Sequence, residues 1–167
     1  MILSKTSGQS GASLIEATIA ACTGALFLAS LFTMNMTGMR TMRTAREAAN
    51  ASQVLQQRVE GMRIANWHQV TNADWIKTNL LNASAAGSDS LKNITETLTL
   101  IPYGSTGGTT QLVRTGNTTE IVTRNSELLK ESAMKVIWTV AYNGGTQGNS
   151  TSRQTVAILA KGGVAKW

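Results

Sequence analysis

Cysteine, proline and histidine each occur once in the 167 residues, and charged side chains make up only 14% of them. Each scarcity removes a class of explanation. Cys22 has no second cysteine, which excludes an intramolecular disulfide and a cysteine metal cluster. His68 has no second histidine and no nearby cysteine or acidic cluster, so it reads as a surface or helix-end residue and not as a metal ligand. No reactive cysteine, second histidine or Gly-x-Ser-x-Gly elbow is present to build a nucleophilic site, and Asp74, Asp89 and Glu96 are scattered and match no calcium-loop spacing. Nothing in the chain argues for an enzyme, and no cofactor or metal is expected.

The few charges are also unevenly placed. Between Ser4 and Gly38 the only ionisable side chains are Lys5, Glu16 and Cys22. Residues 12–32, ASLIEATIAACTGALFLASLF, are almost wholly apolar; at 1.5 Å per residue such a helix covers roughly 30 Å, the thickness of a bilayer's hydrocarbon core. This stretch reads as a membrane span. Residues 1–11, MILSKTSGQSG, are short and polar and suit a cytoplasmic leader. A secretory signal would place its small-residue cleavage site after the apolar run, whereas here the small residues come first. Lys5 precedes the span and Arg40, Arg43 and Arg46 follow it, so the positive-inside rule taken alone orients the chain the opposite way. These arginines suit lipid headgroups or acidic residues of adjacent subunits, and Met34, Met36, Met39 and Met42 suit adaptable packing at the membrane exit. Gly24 is either a flexible point or a place of close helix contact. The net charge of +6 permits attraction to nucleic acid or anionic surfaces without requiring it.

Beyond the span, residues 33–64 contain no proline and carry a stripe of Ala48, Ala51, Leu55, Val59 and Met62 at spacings of three and four. Arg43, Arg46, Glu47, Gln53, Gln57, Arg58 and Glu60 are assigned to the opposite, polar face. One helix is therefore expected from about Ala12 to Arg63. Residues 67–81 read as a short helix or helical turn with Asn72 as N-cap, and 82–90 as a loop. Alternation then predicts strands over 94–101, ended by Pro102, over 111–114 and 120–124 with a turn at Gly116 and Asn117, and over 134–142 and 154–161. Trp67, Trp75 and Trp138 are assigned to the head's core or its contact with the long helix, while Trp167 is free to dock on the head or a neighbour. The expected fold class is α+β: a long N-terminal helix, membrane-spanning in its first half, packed on a small antiparallel sheet whose apolar face the amphipathic half covers. The expected organisation is leader 1–11, membrane-spanning helix 12–33, its amphipathic continuation 34–64, and an extracytoplasmic head 65–167.

The junction itself reads Gly11-Ala12-Ser13-Leu14-Ile15-Glu16 and opens directly into the apolar helix. It resembles the cleavage and methylation segment of type IV prepilins and type II secretion pseudopilins. The resemblance implies cleavage between Gly11 and Ala12, N-methylation of Ala12, and an assembly role for Glu16, the fifth residue after the cut. It implies as partners a prepilin peptidase, an inner-membrane platform protein, an assembly ATPase and other pilins or pseudopilins in a helical filament. It further implies an inner-membrane single-pass location before export to a surface pilus or periplasmic pseudopilus. Ala12 stands where the family commonly has phenylalanine or methionine, and Gln9 and Ser10 stand where it has basic residues. The missing span proline and terminal disulfide point to a minor subunit. A carboxylate in a spanning helix costs on the order of 2.5–3.5 kcal/mol and needs a partner, which the Ala12 amine of a neighbouring subunit can supply. The alternatives are a minor pseudopilin and a membrane-anchored module that binds a surface or DNA.

Overall fold

The computed structural model describes residues 12–104, 107–144 and 149–162, with the side chains of Ala12 and Ser13 excepted. Helix α1 runs unbroken over Ala12–Ile64, as the absence of proline and the isolation of Gly24, Gly38 and Gly61 permit. The chain divides into two compact units, Met1–Met42 and Arg43–Trp167, so that α1 contributes to both.

In the second unit α1 is followed by α2 (Trp67–Val70), α3 (Ala73–Trp75) and a π-helical turn over Ile76–Leu81. Five strands come next: β1 (Lys92–Pro102), β2 (Thr110–Thr115), β3 (Thr118–Thr123), β4 (Ala133–Gly144) and β5 (Asn149–Ala160). They form one sheet in the order β3-β2-β1-β4-β5, with every pairing antiparallel. The α+β class expected from the sequence is the one observed.

Because side chains alternate across a strand, one residue in two faces the helices. On that face Leu98 of β1 lies between Leu112 of β2 and Trp138 of β4, all three fully buried. The other face presents Thr95, Thr97 and Thr99 of β1, each half-buried. Val54, Leu55 and Met62 of α1 join this core, with Ile76, Leu80 and Leu81 from the π-helical turn. Removing each such side chain from water contributes about 1.5–3 kcal/mol. Trp138 is central, while Trp67 and Trp75 pack on the cluster's margin.

The stripe on α1 differs from the expected one. Ala51, Val54, Leu55, Arg58 and Met62 are buried, whereas Ala48 and Val59 are only half-buried. Glu47 and Arg58, assigned to the polar face, are both buried. Charge alone misplaced them, because a buried ion is tolerated where a partner meets it. Glu47 accepts from Arg43 Nε at 3.0 Å, and the partners of Arg58 lie on other elements.

Local capping follows the polar residues. Asn72 Oδ1 accepts from the backbone N–H groups of Asp74 and Trp75, fixing the start of α3. Asn66 and Gln69 form a reciprocal capping box at α2 that the sequence reading did not identify. The loop over 82–90 is tied to α1, with Asn50 Nδ2 donating to Ser90 Oγ at 2.6 Å and Ala86 N–H donating to Gln57 Oε1 at 2.7 Å. Gly87 makes that approach possible. Its φ is +89°, and a Cβ there would meet the Asn50 carbonyl oxygen at 3.2 Å.

Candidate functional site: the apolar end of the first helix

Residues 14–32 of α1 expose one apolar side chain after another. Leu14, Ile15, Ile19, Leu26, Phe27, Leu28, Leu31 and Phe32 are all exposed. None of the helix's most apolar stretch is buried, and by length and composition it is sufficient to cross a membrane. A core helix of a globular domain would be covered by the rest of its own chain, and this one is not.

Its hydroxyl groups bond within the helix. The hydroxyl of Thr18 donates to the carbonyl of Leu14, and Thr23 donates to Ile19 at 2.8 Å. Ser30 donates to Phe27 at 2.7 Å, and Thr33, Thr37 and Thr41 continue the pattern. Each hydroxyl is thus satisfied within the helix, the condition for placing it in hydrocarbon without water. Cys22 is exposed in the same stretch.

Glu16 is the exception. It is exposed one turn into the helix between Ile15 and Ile19, and no hydrogen bond or ion pair joins it to another described residue. A carboxylate cannot bond back to the carbonyls of its own helix, since both are acceptors. None of the described residues of this segment supplies it a donor. Of the other residues singled out at the junction, Ala12 opens the helix but its side chain is not among the described ones. Gly11, the leader 1–11 and Trp167 lie outside the described residues.

A second concentration of charge was not recognised from sequence. Glu96 of β1 is fully buried and accepts from Arg58 Nε and Nη2, each at 2.9 Å, in a two-pronged pair. Arg114 of β2 donates to the same carboxylate from Nη1 at 2.8 Å. Two further donors bond to backbone, Arg58 Nη1 on the carbonyl of Leu80 and Arg114 Nε on the carbonyl of Gly116 at 2.9 Å. The cluster joins α1, the π-helical turn, β1 and the β2–β3 hairpin inside the core. It is enclosed and its carboxylate takes three donors, which suits positioning rather than ligand binding. The signal was present in the pattern: Arg58 stands between Leu55 and Met62 on the buried stripe, Glu96 two residues before Leu98, and Arg114 two after Leu112. Three core positions carrying opposite charges on different elements call for one another.

On the surface, Asp74 receives two hydrogen bonds from Arg124, at 2.9 and 2.7 Å. Those bonds hold the Asp74 carboxyl below its usual range and raise Arg124. A cleft of about 360 Å³ lies between α1 and β5, with Leu55, Val59 and Arg63 on one wall and Arg153 and Thr155 on the other. Among the described residues no three His, Cys, Asp or Glu side chains converge as a metal site. The functional candidate is therefore the exposed apolar end of α1 with Glu16, the one acid in residues 14–32. No family model, curated protein or solved structure matches this chain.

Proposed function

We propose that the chain is a type IV pilin-like filament subunit, of the minor kind, which polymerises through the first part of α1 and performs no catalysis. The observation that carries this reading is Glu16, an exposed acid with no partner among the described residues, on a helix stretch that is otherwise apolar and internally satisfied. Before assembly the apolar stretch sits in the inner membrane, with residues 1–11 on the cytoplasmic side. A prepilin peptidase cuts after Gly11 and Ala12 becomes the methylated terminus. In the filament, lipid around the helix is replaced by the same helix of neighbouring subunits, and the Glu16 carboxylate pairs with a neighbour's Ala12 amine. That pair offsets the cost of the buried charge and sets axial register.

The same chemistry serves a pilus or a type II secretion pseudopilus, since both extract such a helix from the membrane with a platform protein and an assembly ATPase. The lack of a proline in the span fits a minor subunit of either machine.

The test is expression with a cognate prepilin peptidase, followed by mass analysis of the isolated chain. Loss of residues 1–11 with one added methyl group is expected, and Gly11→Ala should retain the full mass. Glu16→Ala should be processed and remain in the membrane, yet be absent from sheared filaments. An unprocessed wild-type chain, or full filament incorporation of Glu16→Ala, would refute the proposal.

A further inference from the structure

The sheet has two edges, and they are built differently. The β3 edge is six residues long, its pairing with β2 has a register shift, and charged Glu120 and Arg124 lie on or beside it. These features discourage a further strand from adding to it. The β5 edge has neither the shortness nor the register shift, and its charges, Arg153 and the adjoining Lys161, bound its apolar stretch instead of lying in it. It is twelve residues long, pairs with β4 in unbroken register and contains no proline. From Gln154 to Ala160 it has no ionisable side chain.

The hydrogen-bonding direction along β5 follows from its end. Lys161 N–H donates to the Ser132 carbonyl on the strand's β4 side. In an antiparallel ladder this alternates, so Leu159, Ala157 and Thr155 also direct their backbone groups at β4. Val156, Ile158 and Ala160 direct theirs at the open edge. The same three residues stand on the sheet face away from α1, where Val156 is 52% and Ile158 59% exposed. Among the described residues nothing bonds to these outward backbone groups, and they coincide with exposed aliphatic side chains on one short stretch.

We infer that this stretch pairs with itself, two copies of the chain joining antiparallel along β5 about a two-fold axis at Ile158. Ile158 then lies opposite Ile158 of the second copy, and Val156 opposite Ala160. Each of these pairs exchanges backbone hydrogen bonds at the formerly open edge. The aliphatic side chains of both copies become neighbours on one face, which covers the surface each copy leaves exposed. Charge permits the approach: among the described residues, the nearest charged side chain on that face is Lys135, across from Ile158 on β4. Three strand spacings separate the two Lys135 residues, roughly 14 Å, beyond the screening length of about 8 Å at physiological salt. Arg153 is turned the other way, into the cleft beside α1.

A pairing over so few residues buries less than the roughly 1,200 Å² of a standard specific interface, so it is weak in dilute solution. The inference does not rest on leader processing or filament entry, and its test reads neither.

Covalent trapping suits a weak symmetric pair. On a Cys22→Ser background, the full chain in detergent is oxidised with a single cysteine at Ile158, Val156, Ala160 or, on the β3 edge, Val122. Hydrogen-bonded partners stand about 5.5 Å apart at Cα, within disulfide reach. Ile158→Cys should yield a disulfide dimer. Val156→Cys and Ala160→Cys should each stay monomeric alone and cross-link when mixed, and Val122→Cys should stay monomeric. Equal cross-linking of all four variants would mean random collision or association through the apolar helix and would overturn the inference. So would an Ile158→Cys thiol that neither cross-links nor reacts with an alkylating reagent, since the edge is then covered by other residues of the same chain.

Discussion

Removing the Glu96 carboxylate is the sharpest available test of how the head is held together. The cluster contains two guanidinium groups and one carboxylate, so it is unbalanced by one positive charge even when complete. Glu96→Leu leaves Arg58 and Arg114, exposed by 3% and 10% of their side chains, facing each other without an anion. Breaking a buried ion pair in this way costs about 3–5 kcal/mol, against a total stability of about 5–15 kcal/mol for a domain. Arg58→Met or Arg114→Met should cost less, because each leaves a one-to-one pair. The triple replacement Arg58→Met, Glu96→Leu, Arg114→Met should fall near the parent, since well-packed apolar residues substitute for a buried ion cluster at little or no cost. Urea unfolding followed by tryptophan fluorescence reads all four, with Trp138 of the core as reporter. The expected order of stability is parent and triple variant highest, single arginine variants intermediate, and Glu96→Leu lowest. A Glu96→Leu variant within about 1 kcal/mol of the parent would refute the claim that the carboxylate is what makes two buried arginines tolerable.

Two further outcomes follow from the described hydrogen bonds. Asn72→Ala removes the acceptor for two N–H groups at the start of α3 and should lower the head's stability by about 1 kcal/mol, visible as a lower urea midpoint. For the Asp74–Arg124 pair, the folded carboxyl is held below its unfolded range, so its contribution is present above the unfolded pKa and lost as pH falls through the folded one. The gap in urea midpoint between parent and Arg124→Gln should therefore hold steady down to the ordinary carboxylate range and close below it. A gap that widens on acidification would contradict the assignment.

What the sequence determined by itself was whatever a single element decides. A run of apolar residues without proline dictates α1 over Ala12–Ile64, and two-residue alternation dictates four strands to within two residues but misses residues 149–153 of β5, which read as loop. Glu16 was conspicuous because nothing near it in the chain resembles it. Asn72 was legible as a cap because capping is settled within a few residues. The tertiary structure decided matters that depend on distant partners. Whether Arg58 faces water or core is settled by Glu96, thirty-eight residues away, and no local pattern distinguishes a buried paired arginine from a solvated one. Which strands form the edges is equally non-local. The 154–161 stretch reads as one of the two strongest strands, but only the order β3-β2-β1-β4-β5 puts it on the rim with Val156 and Ile158 uncovered. Periodicity reports which side of an element is apolar. Closure of the sheet decides what, if anything, comes to cover it.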